Sequence, residues 1–80
     1  MYHPHIVLRH CRSYLRETRA GFYAEVHHGQ EAIFQVYSDG TVLWMHPDHG
    51  LVRPENVIGG QVLSHIRYQG RSLLRYHGVE

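Results

Sequence analysis

The sequence predicts an α+β fold in one domain, residues 1–80: a three-stranded antiparallel meander flanked by an N-terminal and a C-terminal helix, in the order α-β-β-β-α. Three observations predict it. Asp39-Gly40 stands between two alternating runs, a strong hairpin signal because a two-residue turn needs positive φ. Residues before Gly21 repeat their apolar positions at spacings of three and four, and so do the residues after Asn56.

Pro4 to Ala20 reads as the first helix. Proline suits the first helical position. Val7, Leu8, Cys11, Tyr14, Leu15 and Thr18 fall on one stripe, and Gly21 is a stop signal. The pair Ile6-Val7 is β-branched, so a strand at residues 5 to 9 is the alternative. Phe22 to His27 alternates, with Phe22, Ala24 and Val26 on its apolar face. A loop of His28-Gly29-Gln30 then places Val26 opposite Ala32, Ala24 opposite Phe34 and Phe22 opposite Val36. Across the Asp39-Gly40 turn, Phe34 faces Met45 and Val36 faces Leu43. That register puts Phe34, Val36, Leu43 and Met45 in the core. It leaves Tyr23, Ile33, Tyr37, Val42 and Trp44 on the outer face.

Pro47-Asp48-His49-Gly50 ends the third strand, and Leu51 to Pro54 is an extended connector. Asn56 to His77 is helical by pattern, closed by Gly78. Interior glycines each cost roughly 1 kcal/mol. The helix therefore starts after Gly60 or breaks at Gly70, and a strand pair, Val62–Tyr68 with Arg71–His77, is its competitor. The expected core is Leu8, Cys11, Leu15, Phe22, Ala24, Val26, Phe34, Val36, Leu43, Met45, Val62, Ile66 and Leu73.

Composition narrows the function. All eight basic residues are arginine, and the net charge is +1. Such a balance does not demand nucleic acid. One cysteine, Cys11, excludes an internal disulfide and fits a reducing compartment. No run reaches the roughly 18 apolar residues of a membrane span, and the first residues lack the features of a signal peptide. A cytoplasmic, non-membrane protein is expected.

Two surfaces attract attention. Arg9, Arg12, Arg16 and Arg19 line one side of the expected first helix, and Arg67, Arg71 and Arg75 one side of the second. Only Glu17 and Glu80 lie close in sequence to these seven arginines. Guanidinium forks suit phosphate or carboxylate. Tyr23, Tyr37 and Trp44, with Ile33 and Val42, make an aromatic outer face of the kind found at protein interfaces or at a homodimer contact. His3, His5, His27, His28, His46 and His49 look like metal ligands, but Cys11 sits in the helix stripe and no Cys-x-x-Cys pair accompanies them. No metal or cofactor is expected. No nucleophile elbow, P-loop or dinucleotide fingerprint occurs, so no enzyme is expected.

The expectation is a small protein-protein interaction module or inhibitor. Compact lysine-free chains without catalytic motifs are common among phage- and mobile-element-encoded accessory proteins, anti-CRISPR inhibitors included. That is an analogy of size and composition, with no family motif behind it. The rival is a nucleic-acid-binding regulator that uses the arginine ridges.

Overall fold

The computed structural model describes residues 11–56 and 59–79. It holds five strands followed by one helix: β1 (Arg12–Thr18), β2 (Gly21–His28), β3 (Glu31–Tyr37), β4 (Val42–His46), β5 (Gly50–Val52) and α1 (Gly60–Tyr76). A short 3-10 turn, Pro54–Asn56, leads toward α1. All five strands are antiparallel and lie in sequence order in one sheet, so among the described residues β1 and β5 are its edges. The expected three-stranded meander between two helices is therefore incorrect.

The first correction is β1. Residues 12–18 form a strand paired with β2, with Arg12 opposite His27 and Leu15 opposite Ala24. Two of the six residues of the helical stripe, Val7 and Leu8, lie outside the described residues, as do Arg9, Leu8's place in the core and the alternative strand at 5 to 9. Within 12–18, Arg12, Tyr14 and Arg16 alternate outward, while Leu15 packs on the core and Ser13 reaches the end of α1. Only one strongly apolar residue faces in, so the two-residue period was hard to see.

The second correction is the β2–β3 connection. The loop is Gly29-Gln30, since His28 pairs with Glu31, and Gly29 takes the positive φ it needs, 65°. The register then shifts between Val26 and His27, leaving Ile33 as the extra residue of a bulge. Both Ile33 and Phe34 are consequently buried. Val26 pairs with Phe34 and Ala24 with Val36, two residues away from the expected partners. A two-residue shift preserves the face, so Ala24, Val26, Phe34 and Val36 remain inside as expected.

The β3–β4 hairpin carries the third correction. Its loop has three residues, not two: Tyr37 N–H donates to Thr41 C=O at 2.8 Å, and Gly40 N–H to Tyr37 C=O at 3.0 Å. Gly40 sits at φ 93°, the positive-φ position that ends such a loop. The extra residue moves the register by one, so Phe34 pairs with Trp44 and Val36 with Val42. A one-residue slip exchanges the faces of a strand. Val42 and Trp44 therefore enter the core, while Leu43 and Met45 leave it.

The core thus lies between one sheet face and α1. Ala24, Val26, Ile33, Phe34, Val36, Val42 and Trp44 meet Leu63, Ile66, Leu73 and Leu74. Leu15 and Val62 pack at its margin, half-buried, and Phe22 is half-buried outside it. The helix begins at Gly60 and runs unbroken through Gly70, so the competing strand pair is excluded. Gly70 is required by contact: a Cβ there would lie 2.8 Å from Val36 Cβ. The C-terminus closes with Val79 N–H on Leu74 C=O and Gly78 N–H on Arg75 C=O, with Gly78 at φ 89°. That pair of bonds satisfies the last carbonyls and turns Val79 back onto the core. No helix among the described residues is long and apolar enough to cross a membrane.

Candidate functional site

Strand alternation sorts the expected site residues between the two sheet faces. Tyr23 and Tyr37 stand where expected, on the face turned away from α1, as a directly opposed pair with rings stacked at 4.7 Å. Tyr37 donates its hydroxyl proton to Gln35 Oε1 at 2.6 Å. Burial first, then the neighbouring Tyr23, then Asp39 raise the Tyr37 pKa, so the phenol stays a donor at neutral pH. Trp44 is absent from this face. It is 8% exposed and belongs to the core, so the expected aromatic surface loses its largest member.

The same face carries a polar relay beside the tyrosines. Glu25 accepts from His27 Nε2 at 2.8 Å and from Arg16 at 3.2 Å. The His27 ring meets the Tyr14 ring edge-on at 5.0 Å, and the Arg16 guanidinium lies 5.6 Å from the same Tyr14 ring. The His27 hydrogen bond, followed by the Arg16 contact, outweighs burial and holds the Glu25 carboxyl below its ordinary value. A depressed carboxylate pKa stabilises the fold at pH above the unfolded value of about 4.3 and ceases to do so as pH falls through the folded value. Glu25→Gln should therefore lower the urea midpoint at pH 7 and match the parent at about pH 2.5. An equal deficit at both pH values would assign the loss to packing instead.

The arginines do not form two ridges. Arg12 and Arg16 stand four residues apart on the outer face of β1 with Tyr14 between them, Arg19 lies in the β1–β2 turn, and Arg9 is outside the described residues. On α1 the spacing of Arg67, Arg71 and Arg75 is helical as expected, but Arg67 is engaged, bonding Gly40 C=O at 3.3 Å and Glu55 at 3.4 Å. His46 and His49 stack at 4.6 Å, and His46 Nδ1 accepts from the Asp48 N–H at 3.0 Å. Among the described residues no group of three or more histidine, cysteine or acidic side chains is placed to hold a metal.

A second surface escaped sequence reasoning. An open slot of about 1000 Å³ lies between β1 and α1. Its strand wall is residues 11–14, and its helix wall includes His65, Tyr68, Ser72 and Tyr76. Consecutive strand residues point alternately to both sheet faces, so a slot that touches Arg12, Ser13 and Tyr14 runs along the outer edge of β1 itself. Ser13 Oγ lies 2.9 Å from His77 Nε2, tying the strand to the end of the helix and fixing the width of the slot. Four large hydrophobic side chains stand exposed among the described residues, and three of them, Tyr14, Tyr68 and Tyr76, line this slot. Arg12 and His65 also line it, and among the described residues no carboxylate does. Cys11 closes one end, half-buried, with burial raising its thiol pKa. The available signal was Tyr68 and Tyr76, eight residues apart on a helix and flanking its apolar stripe. Comparison with protein-family models, with curated proteins and with solved structures finds no match for this chain.

Proposed function

We propose that this chain is a small, non-enzymatic protein-binding module whose partner docks along β1. The observation that carries the reading is the gathering of Tyr14, Tyr68 and Tyr76 beside Arg12 in one concave slot. Tyrosine and arginine are the residue types that dominate binding energy at protein interfaces. None of the three tyrosines is a buried part of the core, so the fold itself does not require them. The outer sheet face continues the surface across Arg16 to the stacked Tyr23–Tyr37 pair. The fixed Glu25 contacts reduce the ordering cost that binding would otherwise carry.

Nucleic-acid binding has less support. The first arginine ridge was a property of a helix that is a strand here, and Arg67 of the second is occupied. A cytoplasmic setting is part of the proposal, supported by the single cysteine. An inhibitory role and a phage or mobile-element source rest on size and composition alone.

The test begins with affinity capture from a lysate of the protein's own cell, followed by titration of the purified partner. Tyr68→Ala/Tyr76→Ala should fold as the parent does, since both side chains are exposed. It should bind the partner at least tenfold more weakly, with a shallow dependence on salt. Equal binding by the double variant, or capture of nucleic acid with a steep salt dependence, would defeat the reading.

A further inference from the structure

The slot is shaped for more than side-chain contact. β1 is an edge of the sheet, and an edge strand turns the N–H and C=O of every second residue away from its neighbour. Among the described residues, no strand lies on that outer side of β1. Such an edge can take up another extended segment by main-chain hydrogen bonding. Here the edge is walled by a helix at a width set by the Ser13–His77 contact. We propose, resting on the protein-binding reading above, that the partner contributes an extended acidic segment that adds to β1 as a sixth strand.

Three features of the slot select that occupant. The slot follows the backbone of β1 through Arg12, Ser13 and Tyr14, which matches a ligand bonded by main chain along its length. Alternate side chains of an added strand would point to opposite sides. One set would enter the helix wall between Tyr68, Ser72 and Tyr76, and the other would lie over Arg12 and Tyr14. The charge is one-sided. Arg12 lines the slot and, among the described residues, no carboxylate does, so acidic side chains would be favoured and basic ones opposed.

The probe is a short synthetic peptide alternating valine and glutamate, titrated into the full chain by fluorescence anisotropy. Two comparison peptides carry lysine for glutamate, or N-methyl groups on the amides of one edge. Each edge is methylated in turn. The expected result is binding by the acidic peptide, at least tenfold weaker binding by the lysine peptide, and loss of binding on methylating one edge but not the other. Hydrogen exchange should slow at alternate amides of β1 in the complex. Binding indifferent to charge and to methylation would overturn the proposal, as would β1 amides unchanged at saturating peptide. Outer amides of β1 already protected in the free chain would overturn it too. Protection independent of protein concentration would assign the slot to residues 1–10, and protection growing with concentration to a second copy.

The two readings fail separately. A purified partner that is sensitive to Tyr68→Ala/Tyr76→Ala, yet neither competes with the acidic peptide nor protects β1, would defeat strand addition alone. A partner indifferent to those tyrosines, beside a peptide that behaves as expected, would defeat the protein-binding reading and leave the slot's chemistry standing.

Discussion

Trp44→Ala is expected to cost about 3–5 kcal/mol of folding stability, the usual loss for removing a large aromatic side chain from a core. Trp44 is 8% exposed, pairs directly with Phe34, and sits in the cluster that α1 covers. The whole stability of a chain this size is of the order of 5–10 kcal/mol. The variant should therefore melt far below the parent and unfold at much lower urea. Leu43→Ala, one residue earlier and facing the other way, should cost about 1 kcal/mol. Urea denaturation of both variants checks the register of the β3–β4 hairpin. A mild Trp44 variant beside a severe Leu43 variant would restore the two-residue turn and reverse the faces.

Gly70→Ala is expected to destabilise, against the ordinary rule for helices. Replacing an interior helical glycine by alanine normally gains roughly 1 kcal/mol. At Gly70 the new methyl would meet the Val36 side chain, at 2.8 Å from Cβ and 2.9 Å from Cγ2. Val36 is central in the sheet and 1% exposed, so it has nowhere to retreat, and α1 must lift instead. Overpacking of this kind costs about 1–3 kcal/mol, enough to reverse the sign. The second half of the experiment is Val36→Ala in the same chain. Removing the opposing methyl groups should recover part of the loss, giving a favourable coupling in a double-mutant cycle. Gly70→Ala more stable than the parent would mean that α1 does not rest on Val36.

The same two positions show where the sequence was legible. Strands β2 and β3 were plain because Ala24, Val26 and Val36 alternate with more polar neighbours, and β4 because it follows Asp39-Gly40. Their pairing was less plain, because register depends on loop conformation. Asp39-Gly40 signals a tight turn, but the signal does not say whether Ser38 belongs to the strand or to the loop. That single residue decided whether Trp44 faced a partner or the core. β5 was missed because Gly50–Val52 is too short to show a period. The last helix was legible despite its glycines, and the one that mattered, Gly70, marked close approach to the sheet and not a break. Of the surface, Tyr23 and Tyr37 were placed correctly. The slot was invisible because it needs β1 to be a strand and α1 to cross beside it, a relation between residues more than fifty apart.

The order of the elements also sets a timetable. Each strand pairs with the one made just before it, so the sheet can form by successive hairpins with short loops to close. The helix that covers it is the last element in the order. During synthesis the sheet can therefore assemble while Phe34, Val42 and Trp44 still lack their cover. A hairpin forms in microseconds, whereas the seventeen residues of α1 take about a second or more to emerge at cellular elongation rates. Until α1 is made, the apolar face that Phe34, Val42 and Trp44 present has no helix to bury it.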